Sequence, residues 1–253
     1  MDIIDKSPPS SSETTALITG GSRGIGLATA IELSHSCSNV VITYSTELPS
    51  STVEIISSTN ISAIRCDVRS DKDIEELFDK VENDFGYAGI VIANAGITRD
   101  NLLLRMNQSS WDEVLDTNLT GVYRTLKRAI QPMIKAHYGR IVLVSSVAGF
   151  IGSPGQMNYA ATKAGLVGMG RSLAREVASR NINVNIVAPG IVDTEMSAAL
   201  GQKRLDELMA NVPLKRAASP QEIAKVISFL VSDAASYITG AIIPIDGGMA
   251  MGI

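Results

Sequence analysis

The stretch Ala16-Leu-Ile-Thr-Gly-Gly-Ser-Arg-Gly-Ile-Gly26 joins a short apolar run to a glycine-rich turn, and a helix-like pattern over residues 27–33 follows at once. An apolar run of this length is typical of a buried strand. In such a strand–turn–helix unit, glycines let the backbone approach a pyrophosphate, and the positive end of the helix faces it. The stretch therefore predicts the start of a dinucleotide-binding sheet.

Strand-like and helix-like segments alternate along the rest of the chain. Further apolar runs begin at residues 39, 61, 89, 139, 184 and 241. Such alternation is typical of a parallel sheet covered by helices. We expect the α/β class, with a single-domain Rossmann fold: a doubly wound parallel seven-stranded sheet with helices on both faces. Ser70 and Ser219 carry helix-capping signatures, and residues 109–137 are predicted to form one long helix.

The domain is expected to span residues 14–253. Residues 1–13 are polar, contain Pro8-Pro9 and Ser10-Ser-Ser12, and are predicted to form a disordered N-terminal tail. They lack the apolar core of a secretory signal. The apolar runs of the chain are also far shorter than the roughly 18 residues that span a membrane. We therefore expect no membrane association.

Composition limits the partners further. The 253 residues carry a formal net charge of −4, and the pI of about 5.3 argues against nucleic acid as the main partner. The two cysteines and two histidines have no spacing that suits a disulfide framework or a metal site. We therefore expect no metal and a cytoplasmic location.

A second informative stretch runs from Ser146 to Lys163. Ser146 follows the apolar run of residues 139–145, at the strand end where open α/β sheets place their chemistry. Tyr159 and Lys163 are four residues apart, so a helix would bring them to one face. Lowering the pKa of a tyrosine by about three units needs about 4 kcal/mol. A lysine ammonium roughly 4 Å away could supply about that much, but burial of the phenol would push the pKa the other way, so the full shift is an upper limit. The alternative is a chance pair on a solvated helix face.

The end of the second strand bears on the cofactor. In NAD-binding sheets an acidic residue there holds the ribose 2′-hydroxyl. Here the strand ends in Thr43-Tyr-Ser45 without an acid, and Arg23 in the glycine turn is free to meet a 2′-phosphate. We therefore expect NADP(H). After the third strand, Asp67 either accepts from the adenine amino group or starts the next turn.

Asn118 lies inside the predicted long helix, where asparagine is unfavourable. It is either a core amide bonded to a carbonyl or the mark of a deliberate kink that holds a water.

Several motifs lie in order along the chain, from Thr19-Gly-Gly-Ser-Arg-Gly-Ile-Gly26 through Asn94-Ala-Gly96, Asn118, Ser146 and Tyr159-x-x-x-Lys163 to Pro189-Gly190. Together they resemble the short-chain dehydrogenase/reductase family, from residue 16 to the C-terminus. Within it the chain is most similar to the β-ketoacyl-[acyl-carrier-protein] reductases. Its ending is also similar to the mycolic-acid-linked branch, which has an Arg after the second strand where this chain has Ser45. In this chain 2′-phosphate binding would then rest more on Arg23.

The resemblance implies an NADPH-dependent reduction of a 3-oxoacyl group on acyl carrier protein, in fatty acid biosynthesis, by a homotetramer. It implies catalytic roles for Asn118, Ser146, Tyr159 and Lys163. The cofactor-binding residues that it implies, besides Tyr159 and Lys163, are Gly20, Ser22, Arg23, Gly24, Ile25, Gly26, Ser45, Asp67, Val68, Asn94, Ala95, Gly96, Pro189, Gly190, Ile191 and Thr194. A reductase of a CoA thioester, a sugar or a steroid ketone is one alternative, and an NADP sensor without catalysis is another.

Two surface predictions remain. The small and apolar residues of 160–178 and 241–253 favour burial against a symmetric copy, as a homotetramer requires. A rim of basic residues is the candidate docking surface for acyl carrier protein, with simple solvation as its alternative. The rim residues are Lys127, Arg128, Lys135, Arg140, Arg171, Arg175 and Arg180.

Overall fold

The structure, a computed structural model, describes residues 14–199 and 201–251. Within these ranges seven strands form one all-parallel sheet in the order β3-β2-β1-β4-β5-β6-β7. The strands are β1 (Thr15–Ile18), β2 (Asn39–Tyr44), β3 (Ile61–Arg65), β4 (Ala88–Ala93), β5 (Gly139–Val144), β6 (Ile182–Pro189) and β7 (Ile242–Ile245). The predicted sheet is confirmed. The tail predicted for residues 1–13 lies outside the described residues.

Helices connect the strands. They are α1 (Gly24–Ser34), α2 (Ser50–Ile56), α3 (Asp71–Phe85), α4 (Gln108–Leu115), α5 (Gly121–Ala136), α6 (Ala148–Ile151), α7 (Met157–Val177), α8 (Glu195–Ala198), α9 (Gln202–Ala210) and α10 (Pro220–Val231). Short 3₁₀ turns lie at Leu103–Arg105, Ala178–Arg180 and Asp233–Ala235.

A hydrophobic core covers each face of the sheet, because strand side chains alternate between the faces. Leu17 of β1 packs with residues of α3, α5 and α7, whereas the next residue, Ile18, packs with residues of α1 and α10. Phe78 of α3 is 1% exposed. Truncating such a buried phenylalanine to alanine costs about 3–5 kcal/mol. The doubly wound arrangement therefore follows from apolar strands that need cover on both sides.

Two helix starts agree with the capping signatures. The Ser70 side chain accepts from the backbone N–H of Asp73 at the start of α3. Ser219 and Glu222 form a reciprocal capping box at α10, with Pro220 as its first residue. Each such cap is worth about 1 kcal/mol. Local hydrogen bonding thus sets where these helices begin.

The single long helix predicted for residues 109–137 is wrong. Helix α4 ends at Leu115, a π-helical turn spans Asp116–Thr120, and α5 begins at Gly121. The π turn inserts extra backbone at the position of Asn118, so the two helices do not share one regular ladder. Helix periodicity carries no signal for such an insertion.

The strand order reverses direction between β1 and β4. At such a switch point the connections leave on opposite faces, and a crevice opens at the carboxyl ends of the strands. The segments that follow β1, β4, β5 and β6 all meet there. This edge of the sheet carries the candidate site.

Candidate active site

A cleft with a volume of about 210 Å³ lies at the carboxyl edge of the sheet. It is lined by segments that follow β4, β5 and β6, together with α7, α8 and α9. The predicted site residues among its lining are Ile25, Asn94, Gly96, Ser146, Tyr159, Lys163, Pro189, Gly190, Ile191 and Thr194. Widely separated segments of the sequence therefore meet at one place.

The glycine turn has the shape that a dinucleotide requires. Gly24 has φ +54°, a left-handed conformation that favours glycine. A Cβ on Gly26 would lie 2.4 Å from the carbonyl oxygen of Gly20, so no larger residue fits there. No side chain caps the N-terminus of α1, which leaves its N–H groups available to an anion. These features fit the pyrophosphate of a nicotinamide dinucleotide.

Hydrogen bonds join the glycine turn to the segment after β4. The Thr19 hydroxyl accepts from the backbone N–H groups of Asn94 and Ala95, each at 3.1 Å. The Asn94 amide donates to the carbonyl oxygens of Thr19 at 3.1 Å and Gly20 at 2.9 Å. Both contacts fix the floor of the cleft. Sequence reasoning did not assign Thr19 a role, although the residue opens the glycine motif.

Tyr159 and Lys163 lie one turn apart on α7, as their spacing predicts. The Lys163 Nζ atom lies 5.5 Å from the centre of the Tyr159 ring and donates to the carbonyl oxygen of Val144 at 2.7 Å. The Ser145 hydroxyl donates to the carbonyl oxygen of Lys163 at 2.7 Å and so anchors α7 to the end of β5. The helix and strand thereby hold the tyrosine, the lysine and Ser146 along one wall of the cleft.

Burial moves both titrating groups away from their charged forms. It raises the pKa of Tyr159 to about 12, although a hydrogen bond with Ser146 acts in the opposite direction. It lowers the pKa of Lys163 to about 8. The predicted lowering of the tyrosine pKa by the lysine is therefore wrong in this structure. The Lys163 ammonium lies over the ring and bonds to Val144, and desolvation of the phenol is the largest cause of the raised pKa of Tyr159.

Asn118 is fully buried and joins the π turn to the segment after β4. Its side chain accepts from the Ile97 N–H at 2.8 Å and donates to the Ile97 carbonyl oxygen at 2.9 Å. A Cβ on Gly96 would lie 3.3 Å from Asn118 Oδ1 and 3.6 Å from Lys163 Nζ, so both side chains border this glycine. The interpretation as a core amide bonded to a carbonyl is confirmed, and it coincides with an irregular helix. The bound water stays a prediction.

Comparison with known proteins gives consistent results. The family model described as Enoyl-(Acyl carrier protein) reductase matches residues 20–250. The 3-oxoacyl-[acyl-carrier-protein] reductase FabG of Escherichia coli K12 is 44% identical over 236 residues, which are 93% of this chain and 97% of the relative. FabG of Staphylococcus aureus Mu50 is 42% identical over 241 residues, which are 94% and 98% of the two chains.

The chain belongs to the short-chain dehydrogenase/reductase family. As a member of it, the chain is an oxidoreductase that uses a nicotinamide cofactor. The glycine turn and the open N-terminus of α1 would hold the cofactor's pyrophosphate.

Arg23 of this short-chain reductase is not free, contrary to the expectation from sequence. Its guanidinium pairs with Glu195 at the start of α8, at 2.8 Å. Both side chains are exposed, so the pair is a weak one. It nevertheless joins the glycine turn to the segment that covers the cleft. The partner lies 172 residues away along the chain, and no local pattern predicts it.

Asp67, Val68 and Ser45 are among the predicted cofactor contacts that lie outside the cleft lining. The Asp67 carboxylate accepts from the backbone N–H of Arg69 and pairs with its guanidinium at 2.6 Å. The interpretation of Asp67 as the start of the next turn is therefore confirmed, and its contact with adenine stays a prediction. Val68 is buried, and Ser45 is exposed beyond the end of β2.

The reductase also has lining residues that sequence reasoning missed. Apolar side chains of Ile151, Met196, Leu208 and Met249 also line the cleft. They come from four separate segments, so no spacing in the sequence connects them. They give part of the cleft lining the apolar character that an acyl chain requires.

Asp100 is a further titrating group near Tyr159. Its carboxylate accepts from the Gln156 amide at 2.7 Å. Burial raises the pKa of Asp100, and its charge contributes to the raised pKa of Tyr159. This carboxylate therefore favours the protonated phenol.

Two residues of the predicted basic rim are engaged elsewhere in the fold. Arg140 is 3% exposed and lies in β5, where its guanidinium donates to backbone carbonyls. Arg128 pairs with three carboxylates of α3, which are Glu75, Asp79 and Glu82. These two arginines bind the fold together, so the rim prediction is wrong for them.

Within the part of the chain that the structure describes, no three His, Cys, Asp or Glu side chains are grouped to hold a metal ion. None of the described helices is long and apolar enough to cross a membrane.

Proposed function

We propose that this short-chain reductase converts 3-oxoacyl-[acyl-carrier-protein] to 3-hydroxyacyl-[acyl-carrier-protein] in fatty acid biosynthesis, with NADPH as reductant. The observation that carries the proposal is the cleft itself. A protonated Tyr159 beside Ser146 lines the same cleft as Ile25 of the glycine turn, which suits a dinucleotide, and as apolar side chains that suit an acyl chain. Relatives that are 42–44% identical over nearly the whole chain bear the name of this activity.

The residues divide the work on the carbonyl group. A bound NADPH supplies the hydride for the carbonyl carbon. Tyr159 donates its proton to the carbonyl oxygen as general acid, a contribution of typically about 10²–10⁴-fold. Ser146 hydrogen-bonds the same oxygen and orients the substrate. Lys163 returns a proton toward Tyr159, and Asn118, which borders the same glycine as Lys163, supports this relay.

The proposed preference for NADPH over NADH rests on the absence of a negatively charged residue at the end of β2. The strand ends in Thr43-Tyr-Ser45 without a carboxylate that would repel a 2′-phosphate or bind a 2′-hydroxyl. Arginine pairs well with phosphate, and Arg23 lies in the glycine turn.

The wider assignments follow from the same activity. Residues 14–253 constitute the reductase domain, acyl carrier protein delivers the substrate, and the chain acts as a homotetramer. Cys37 and Cys66 are both free and buried. Free thiols agree with a reducing, cytoplasmic location.

The decisive experiment compares substrates at matched concentration. NADPH oxidation should be fastest with a 3-oxoacyl group on acyl carrier protein and slower with the same group on CoA. The same assay is repeated with a 2-enoyl thioester as substrate and, separately, with NADH as reductant. Equal or faster turnover of the CoA ester would favour a CoA-linked reductase, and turnover of the enoyl thioester alone would overturn the proposal.

A single substitution tests the role of Tyr159. Tyr159→Phe removes the proton donor and little volume, so kcat should fall about 100-fold or more while the Kd for NADPH stays unchanged. Tyr123→Phe, on the exposed surface of α5, is the matched control and should behave as wild type. Near-normal turnover of Tyr159→Phe would contradict the assignment.

A further inference from the structure

The corner between the ends of β2 and β3 lies directly beside the glycine turn. The backbone N–H of Gly20 donates to the Thr43 hydroxyl at 3.0 Å, and that of Gly21 donates to the Thr43 carbonyl oxygen at 2.9 Å. Parallel pairing then places Tyr44 beside Arg65, the last residue of β3. A ribose held at the glycine turn would therefore have its 2′ substituent near this corner.

Arg65 is fixed at this corner by a backbone contact. Its Nε atom donates to the carbonyl oxygen of Ser45 at 3.2 Å. Ser45 follows β2 and carries no charge. The strand pairing thus brings a guanidinium from β3 to a position that the sequence of β2 leaves without positive charge.

The neighbouring Arg23 and Arg69 are each paired with a carboxylate, whereas Arg65 has no such pair among the described residues. Arg23 pairs with Glu195 at 2.8 Å. Arg69 pairs with Asp67 at 2.6 Å. Arg65 forms no ion pair with any carboxylate in the described ranges, and the nearby charge of Asp67 acts on it only beyond ion-pair distance. Its two terminal amino groups are the open cationic donors of this corner.

A phosphate monoester matches these donors. It carries about −1.5 to −2 charges near neutral pH and three acceptor oxygens. A guanidinium presents its N–H groups in a planar fork that binds phosphate by paired hydrogen bonds. We propose that Arg65, held against Ser45, binds the 2′-phosphate of NADPH and supplies the positive charge that is absent after β2. The inference rests on the proposed use of NADPH.

The position of β3 offers an alternative explanation for the arginine at residue 65. It is an edge strand of the sheet, and charged side chains on edge strands discourage pairing with other chains. A solvated edge arginine would not distinguish ligands with and without a 2′-phosphate. The two explanations therefore differ in a measurable property.

The test measures equilibrium binding of two fragments that undergo no reaction, 2′,5′-ADP and ADP, by calorimetry. A charge-assisted hydrogen bond contributes about 1.5–3 kcal/mol, which corresponds to about tenfold or more in Kd. Arg65→Gln should weaken binding of 2′,5′-ADP by about that factor and leave the Kd for ADP within about twofold. Arg65→Lys should retain part of the discrimination. The control Lys72→Gln removes an exposed cation of α3, paired with Glu76, and should change neither Kd.

The outcomes separate the two proposals. If wild type prefers 2′,5′-ADP and Arg65→Gln keeps that preference, Arg65 is a solvated edge residue and the inference fails alone. Equal weakening of both fragments would also overturn it, since the effect would not concern the 2′-phosphate. If wild type binds both fragments equally, the proposed preference for NADPH fails with it. Thermal unfolding of each variant establishes that this exposed substitution leaves the fold intact.

Discussion

Tyr159 and Lys163 are pushed by burial toward their uncharged forms, and this decides what each can do near neutral pH. With a pKa raised to about 12, the phenol keeps its proton and can act as an acid. With a pKa lowered to about 8, the Lys163 ammonium begins to lose its proton just above neutrality. In the proposed reaction Tyr159 gives up a proton, and the protonated Lys163 is the group on α7 that would replace it.

The pH dependence of reduction should therefore follow Lys163. Its protonated form is present below a pKa of about 8 and is lost above it, so kcat/KM at saturating NADPH should be level below that pH and fall as the pH rises further. A rate profile from pH 6 to 10 checks this. The residual activity of Lys163→Arg should lack the falling limb, because a guanidinium does not titrate in this range. An unchanged limb in that variant would assign it to another group.

For single residues, the sequence predicts which chemical groups lie in the site better than it predicts their hydrogen bonds and ion pairs. The spacing of Tyr159 and Lys163 predicts that they share a helix face, and they do. It does not predict that Lys163 donates to the carbonyl oxygen of Val144, since that depends on the end of β5. The pairing of Arg23 with Glu195 is equally invisible, because it depends on how a distant segment folds over the cleft.

Among the elements, the π turn between α4 and α5 has the clearest structural role. Its Asn118 side chain pairs with both backbone groups of Ile97, which is itself half-buried. Unpaired buried polar groups are costly, so this amide fixes the segment after β4 against the helices. A pattern of apolar residues predicts α4 and α5 but not the break between them, because the inserted turn leaves no periodic trace.

Replacing Asn118 tests this account of the element. Asn118→Leu has a similar volume but leaves the Ile97 N–H and carbonyl unpaired, at a cost of about 2 kcal/mol or more. Tm should then fall by about 4–8 °C, at about 2–4 °C per kcal/mol for a chain of this size. Asn83→Leu, at an exposed position of α3, is the matched control and should leave Tm nearly unchanged. A wild-type Tm for Asn118→Leu would show that these hydrogen bonds contribute little.

The short helix α8 is joined to the glycine turn by the Arg23–Glu195 pair, which would compete with a cofactor phosphate for Arg23. If Arg23 contacts a 2′-phosphate, its bond to Glu195 must be exchanged for that contact. An exposed pair contributes about 0–1 kcal/mol. Glu195→Gln should therefore tighten NADPH by up to about fivefold and leave NADH unchanged, as measured by fluorescence titration. The control Glu207→Gln removes a similar pair with Arg204 on α9. Weaker NADPH binding by Glu195→Gln would contradict the competition.

For the whole molecule, hydrophobic patterning was sufficient to predict the architecture. Strands such as Ile182–Pro189 are buried along their length, which only cover on both faces can explain. The apolar part of the cleft lining was not predictable, because Ile151, Met196 and Leu208 converge only after α6, α8 and α9 have packed over the sheet. The error in the rim prediction at Arg128 has a similar cause. Charge counted along helices does not reveal that Arg128 meets three carboxylates of a neighbouring helix.

The surface outside the cleft has two features that support the proposed association with copies of the same chain. Helix α7 exposes the small residues Ala161, Ala164 and Gly168 in a row, and a Cβ on Gly168 would meet nothing within 4 Å. Strand β7 is an edge of the sheet, and Tyr237 near it is fully exposed. These are two separate surfaces, and two different symmetric contacts generate a tetramer, whereas one generates only a dimer.

The homotetramer is therefore testable one surface at a time. In a symmetric contact through α7, Ala164 lies near its own copy, so Ala164→Glu would bring like charges together without a partner to neutralise them. Sedimentation at micromolar concentration should show a tetramer for wild type and a species of half that mass for Ala164→Glu, which still associates through β7. Ala210→Glu makes the same change at the exposed end of α9 and should stay tetrameric. A monomeric wild type would refute the assembly, whereas a tetrameric Ala164→Glu would exclude the α7 surface from it.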